Sequence, residues 1–131
     1  MSKALRLIRS SDRDQLAQWI STDHEHKDIF TADFWYEGGR VSFAVEDKFG
    51  VVMYVKLTPE PPAMRLYIQF CYESGRVAKA MLKHFPEVRA MVKATGAESI
   101  VFDTKNPKLA SFCIRAFGFE PVKDCDYRLL L

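Results

Sequence analysis

Ser99-Ile100-Val101-Phe102-Asp103, followed after two residues by Asn106-Pro107-Lys108-Leu109-Ala110-Ser111-Phe112-Cys113-Ile114-Arg115-Ala116-Phe117-Gly118-Phe119, is the stretch that decides the fold. Its first part is a short apolar run with polar ends, which predicts a buried strand. Its second part places Pro107 in a first turn, where the missing amide has no intrahelical partner to lose. Gly118 stands where a helix needs a stop, so a helix is expected over Pro107 to Phe117. Phe119 to Lys123 and Tyr127 to Leu131 then read as closing strands.

Upstream, Val77, Ala80, Met81, Leu82, Phe85, Val88, Met91 and Val92 lay an apolar stripe along a helical segment ending at Gly96. Pro86 inside it predicts a kink or two abutting helices, because proline removes a donor and clashes with the preceding turn. Met64 to Cys71 is a long apolar strand interrupted only by Arg65 and Gln69, placed centrally in a sheet. Pro59, Pro61 and Pro62 make a stiff connection into it. Val41 to Val45 and Val51 to Leu57 form a hairpin whose turn contains Gly50, a residue that can take positive φ. Ala4 to Arg9 has strand character. Ser11 and Asp14 read as a capping box opening an amphipathic helix through Leu16, Trp19 and Ile20. Ser21 to Arg40 shows no clean period and ends at Gly38-Gly39, so a loop with one short helix is expected. The order is β-α-(α)-β-β-β-α-β-α-β-β.

Composition narrows the function classes. The chain has 131 residues, 48% apolar and 27% charged, with neither repeat nor linker, which fits one domain over residues 1–131. A formal charge of +2, with Lys and Arg interspersed among Asp and Glu, argues against a nucleic-acid partner. Cys71, Cys113 and Cys125 are an odd set without Cys-x-x-Cys spacing, so reduced thiols are expected rather than disulfides or zinc. Arg6, Arg9, Asp12, Arg13 and Asp14 interrupt any secretory core. No apolar run approaches the ~20 residues that span a bilayer. A cytoplasmic protein with no membrane partner is expected.

The element order and three local stretches together resemble the GNAT superfamily of acyl-CoA N-acyltransferases over nearly the whole chain. Ile8-Arg9 and the capped helix after it resemble the family's opening strand and helix. Asn106 to Phe119 is similar to its penultimate helix, which starts near an Asn and closes with Gly-Phe. Tyr72-Glu73-Ser74-Gly75-Arg76-Val77-Ala78-Lys79-Ala80-Met81-Leu82 aligns without gaps on its pyrophosphate loop, whose pattern is Gln or Arg, two residues, Gly, one residue, then Gly or Ala. Glu73 stands in place of the Gln or Arg, Arg76 in place of the first Gly, and Ala78 fits the last position.

What the resemblance implies is an α/β fold, a mixed and mostly antiparallel sheet of about six to seven strands flanked by helices. It implies acetyl-CoA as co-substrate and an amine acceptor, with the cofactor between Met64–Cys71 and Ser99–Asp103. The implied cofactor residues are Phe70, Tyr72, Ser74, Gly75, Arg76, Val77, Ala78, Lys79 and Asn106. Such a loop works because backbone amides at a helix N-terminus point together toward a diphosphate, and Arg76 and Lys79 can add charge. Glu73 repels the same group. The plain alternative makes Arg76 and Lys79 solvated first-turn residues and Glu73 a favourable N-terminal acid.

The chemistry needs a base for the ammonium, a stabiliser for the oxyanion and a donor for the thiolate. Amides near Phe70 to Tyr72 can serve the oxyanion. Glu46, Glu60 and Glu73 are candidate bases and Cys113, Tyr67 and Tyr127 candidate acids, but spacing singles out none, and each also reads as surface or packing. Ile114 occupies the place where many family members carry a Tyr acid. Asp23-His24-Glu25-His26 pairs two histidines with carboxylates, a pattern for a divalent ion or proton transfer, yet no third His or Cys completes a metal site. With Phe34, Trp35 and Tyr36 it borders the acceptor side of the family fold. Two further classes stay open: a non-catalytic GNAT-like protein acting through protein contacts, loosely similar to GNAT-like proteins of tailed bacteriophages, and an acyl-CoA or nucleotide sensor that binds without turnover. The apolar strand Tyr127 to Leu131 offers an edge for pairing with a second copy.

Overall fold

Strand and helix alternate as the apolar periods require. The structure, a computed structural model, describes residues 5–37, 42–71 and 75–131. The loop end at Gly38-Gly39 and the residues Tyr72, Glu73 and Ser74 lie outside the described residues. The elements are β1 (Leu5–Leu7), a 3-10 turn (Ser10–Asp12), α1 (Arg13–Thr22), α2 (Ala32–Tyr36), β2 (Ser42–Asp47), β3 (Gly50–Glu60) and β4 (Ala63–Phe70). They continue with α3 (Val77–Ala94), β5 (Ser99–Asp103), α4 (Pro107–Phe117), β6 (Glu120–Pro121) and β7 (Asp126–Leu130). The seven strands form one sheet in the order β1-β2-β3-β4-β5-β7-β6. β4 and β5 run parallel, whereas β1/β2, β2/β3, β5/β7 and β6/β7 are antiparallel. By its contacts the chain divides into two compact units, Met1–Leu57 with Tyr67–His84 and Thr58–Leu66 with Phe85–Leu131.

In the first unit, β1 pairs with β2 from Leu5↔Val45 to Leu7↔Phe43, and β2 with β3 from Ser42↔Lys56 to Asp47↔Gly50. The hairpin turn uses the glycine anticipated for it, with Gly50 at φ +114. Leu16 and Ile20, one turn apart on α1, are buried with Trp35, Ala44 and Tyr54, and Trp19, Phe30, Phe34 and Tyr67 pack against this cluster. The expected Ser11/Asp14 capping box does not form. Instead Asp12 accepts from the Arg9 amide at 2.8 Å, because its carboxylate is also gripped by Arg6 through two bonds of 2.8 and 3.0 Å.

In the second unit, the parallel ladder runs from Ala63↔Ser99 to Arg65↔Val101, and β5 pairs with β7 from Ser99↔Leu130 to Asp103↔Asp126. Phe102 meets Phe119 edge-on at 4.9 Å and Phe85 meets Phe117 at 4.3 Å. α4 stops at Gly118, whose φ of +84 lets its amide reach Ile114 O and the Phe119 amide reach Cys113 O. β7 is not a bare edge: β5 lines one side, and β6 pairs Glu120↔Arg128 and Pro121↔Tyr127 on the other. This corrects the expectation of a free terminal strand.

α3 is one helix of 18 residues with Pro86 inside, rather than two abutting helices. Proline forfeits one backbone bond, and burial of Ala80, Met81, Val88 and Val92 on either side of it offsets that loss.

Candidate functional site

β4 ends at Phe70, which is nearly buried, and Gly75-Arg76 turns into α3 at Val77. The first α3 bond runs from the Ala80 amide to Arg76 O at 3.0 Å, so the amides of Val77, Ala78 and Lys79 precede the first intrahelical donor. No acidic residue lies in the first turn of α3, and Ala78 and Lys79 are exposed. The helix thus presents a cluster of donors with the positive end of its dipole. Gly75 does not occupy the left-handed region, and a Cβ built there meets nothing within 4 Å. Neither the dihedral nor crowding within the chain therefore requires glycine at this position.

Arg76 is half-buried and turned toward the hairpin. Its guanidinium reaches Asp47 Oδ1 at 2.6 Å and lies 5.6 Å from the Phe49 ring centre. Gln15, Trp19, Phe49, Val51, Cys71 and Arg76 line a cavity of about 400 Å³ in the same unit. Nothing in the sequence singled out Asp47.

A buried polar network joins the turn after α1 to the end of β4. Asp23 is 3% exposed and Gln69 0%. Gln69 Nε2 donates to Asp23 Oδ2 at 3.0 Å, the Glu25 amide donates to Asp23 Oδ1 at 2.9 Å, and His26 Nδ1 lies 2.8 Å from Gln69 Oε1 and 3.2 Å from Asp23 Oδ2. The segment is not extended. The His26 and Lys27 amides both return to Asp23 O, so His24 is exposed while His26 turns inward. The two histidines do not share a side, and among the described residues no group of three or more His, Cys, Asp or Glu is placed to hold a metal ion. The clue that sequence reasoning passed over is Gln69: a polar residue at a buried position of a central strand requires partners.

Beside this network stands an aromatic wall. His26 meets Phe30 edge-on at 5.2 Å, Phe30 meets Phe34 at 4.6 Å, and Phe34 meets Tyr67 at 4.9 Å. Lys56 Nζ sits 3.8 Å from the Phe34 ring centre and donates to Phe34 O, and burial lowers its pKa.

The other candidates for acid–base work have structural partners. Glu46 pairs with Arg6, and Glu60 with Arg65 at 2.7 Å, whose hydrogen bond holds the Glu60 carboxyl below its usual range. Glu73 lies outside the described residues, as do the cofactor candidates Tyr72 and Ser74. In the second unit Tyr127 stacks on Phe102 at 5.4 Å, and burial pushes the Cys113 thiol up to about 12.

Phe70, Gly75, Arg76, Val77, Ala78 and Lys79 belong to the first unit and Asn106 to the second. Asn106 Oδ1 accepts from the Lys108 and Leu109 amides at 3.0 and 3.3 Å and so caps α4. Asn106→Ala is expected to cost about 1 kcal/mol of stability in urea unfolding. An unchanged midpoint would remove the capping role.

The chain has the fold of the GNAT acetyltransferases. A GNAT-family protein from Desulfovibrio desulfuricans superposes with a TM-score of 0.74 at 18% identity, over 97% of this chain and 98% of that one. A GNAT family acetyltransferase from Brucella melitensis, in complex with acetyl-CoA, gives 0.61 at 17% identity over 96% and 86%. The aminoglycoside 6'-N-acetyltransferase from Enterococcus faecium gives 0.59 at 16% identity over 76% of this chain, which spans only 61% of that protein. No family model matches the sequence, and no curated protein matches it either.

Proposed function

We propose that this chain is a divergent GNAT-superfamily N-acyltransferase that takes an acetyl group from acetyl-CoA to an amine. The observation that carries the reading is the joint between β4 and α3. A strand ends at Phe70, and a helix N-terminus opens at Val77 with three amides ahead of its first internal bond and the cations Arg76 and Lys79 beside them. The reading takes residues 1–131 as one domain. The backbone at Phe70 and Tyr72 meets the thioester. Ser74, Gly75, Val77 and Ala78 give close-approaching backbone to the diphosphate, and Arg76 and Lys79 give charge. Asn106 offers its Nδ2 donors, since Oδ1 is engaged in the cap. Among the described residues no helix is long and apolar enough to cross a membrane. The reading also takes the protein as cytoplasmic.

A second reading keeps the fold without turnover and makes the protein a virion or protein-contact component. It is favoured by Arg76 being held by the chain's own Asp47 and by Ile114 standing where many family members carry the Tyr acid. Calorimetric titration with acetyl-CoA and CoA separates the two. The acyltransferase reading expects micromolar Kd, about −8 kcal/mol, and a ligand-dependent rise in Tm. No heat and no Tm shift at millimolar ligand would leave the second reading.

A further inference from the structure

Three side chains at the end of β4 form an arrangement that packing alone does not call for. Asp23 and Gln69 are buried polar groups whose bonds are matched to each other and to His26. We propose that His26 is the general base that takes the proton from the acceptor ammonium, with Asp23 and Gln69 as its positioning residues; this rests on the acyltransferase reading above.

The hydrogen-bond directions assign the tautomer. Gln69 Nε2 donates to Asp23, so Gln69 presents Oε1, an acceptor, to the ring. The Asp23 carboxylate is also an acceptor, and it too lies against Nδ1. Nδ1 facing two acceptors must carry the hydrogen, which in the neutral ring leaves the lone pair on Nε2. Among the described residues Nε2 has no hydrogen-bond partner, and the His26 side chain retains 20% of its exposure. A ring held through Nδ1–H by a buried carboxylate, with its other nitrogen left without a partner and the side chain partly exposed, is the arrangement that general-base catalysis uses.

Placement supports the role. Gln69 immediately precedes Phe70, the strand end where the thioester is proposed to sit. The turn after α1 is tied back by the His26, Lys27 and Phe30 amides to Asp23 O and His26 O, so the ring is held by backbone as well as by side chains. The edge of Phe30, backed by Phe34 and Tyr67, supplies an apolar wall beside the base, suited to the carbon skeleton of an amine. In the reaction, Nε2 accepts a proton from R-NH3+ to give the neutral amine. The amine nitrogen then bonds to the thioester carbonyl carbon, and the C–S bond breaks as the tetrahedral intermediate collapses. The sulfur leaves with the second amine proton as CoA thiol, and the imidazolium returns its proton to solvent.

The test uses acetyl-CoA with three acceptor probes, benzylamine, aniline and water, and follows thiol release. Benzylamine arrives protonated at pH 7 and needs a base, whereas aniline is already neutral. His26→Ala and His26→Gln should each lower kcat/KM for benzylamine by about 100-fold, while the rate with aniline stays within about twofold of the parent on the same argument. Asp23→Asn should lower kcat for benzylamine with its KM unchanged and spare aniline, a pattern that a merely structural loss would not produce. Titration of each variant with acetyl-CoA reports folding and cofactor binding separately from chemistry. Equal losses with benzylamine and aniline, benzylamine rates unaffected by His26→Ala, or acetyl-CoA binding by the parent with no turnover of any probe would each overturn the base. Absence of acetyl-CoA binding by the parent would instead overturn the acyltransferase reading on which it stands.

Discussion

Asp12→Ala is expected to lower the unfolding free energy by about 3 kcal/mol, which for a chain of this size is a fall of about 10 °C in Tm. The carboxylate, 7% exposed, takes two bonds from the Arg6 guanidinium and one from the Arg9 amide, and the Tyr54 hydroxyl lies 3.3 Å away. Removing it leaves a cation that is only 18% exposed with Glu46 as its remaining carboxylate, and an amide at the mouth of α1 without its acceptor. Arg6 keeps some solvent, so the loss sits at the low end of what breaking a buried pair costs. The hydrogen bond from Arg6 holds the Asp12 carboxyl below its usual range, followed by opposing burial and then the Arg9 amide. A depressed carboxylate contributes stability that is fully present above its unfolded value of about 3.9 and is lost as pH falls through the folded one. The gap between parent and Asp12→Ala should therefore stay constant from pH 7 to about 5 and narrow below about 4. Urea midpoints across that range measure it, and a gap that widens in acid would refute the assignment.

Arg76→Glu is expected to weaken acetyl-CoA binding by about 100-fold, from the loss of a charge-assisted bond and the placing of a carboxylate against the diphosphate. Asp47→Asn should act in the other direction. Arg76 and Asp47 are about a third exposed, so their pair contributes only about 0.5–1 kcal/mol, and releasing the guanidinium from that carboxylate should tighten binding by about threefold. Opposite signs from two partners of one ion pair would not arise if Arg76 were simply a solvated helix residue. Titration calorimetry on the two variants decides, and equal affinities for parent, Arg76→Glu and Asp47→Asn would take the diphosphate away from this loop.

Much of the backbone was legible because its signals are local. β5 and α4 occur at Ser99–Asp103 and Pro107–Phe117 as expected, since an apolar run, Pro107 near a first turn and Gly118 at positive φ are each short-range instructions. The same holds for Gly50 in its hairpin. Reasoning failed where two local signals competed. Ser11 and Asp14 fit a capping pattern, but Arg6, in the preceding strand β1, grips Asp12, whose carboxylate takes that role. Pro86 signals a break, but apolar burial along both flanks kept α3 whole.

The candidate site was less legible, because its chemistry depends on which distant residues meet. The resemblance pointed to the loop around Gly75–Lys79, and the helix N-terminus is there. Asp23 and His26 were visible as a polar pair, but their use was hidden until the turn after α1 brought them onto Gln69, separated by 43 residues from His26. By itself the sequence determined the order of strands and helices and where α4 starts and stops, because these follow from dihedral preference and apolar period over a few residues; it did not determine burial throughout, since Leu82 of the α3 stripe is exposed and Gln69 of β4 is buried. Only the tertiary structure decided that Arg76 is drawn to Asp47 and that His26 Nδ1 meets Gln69 and the buried Asp23 carboxylate. Hydrogen bonds and ion pairs act over about 3 Å, and no spacing along a chain specifies which groups will come that close.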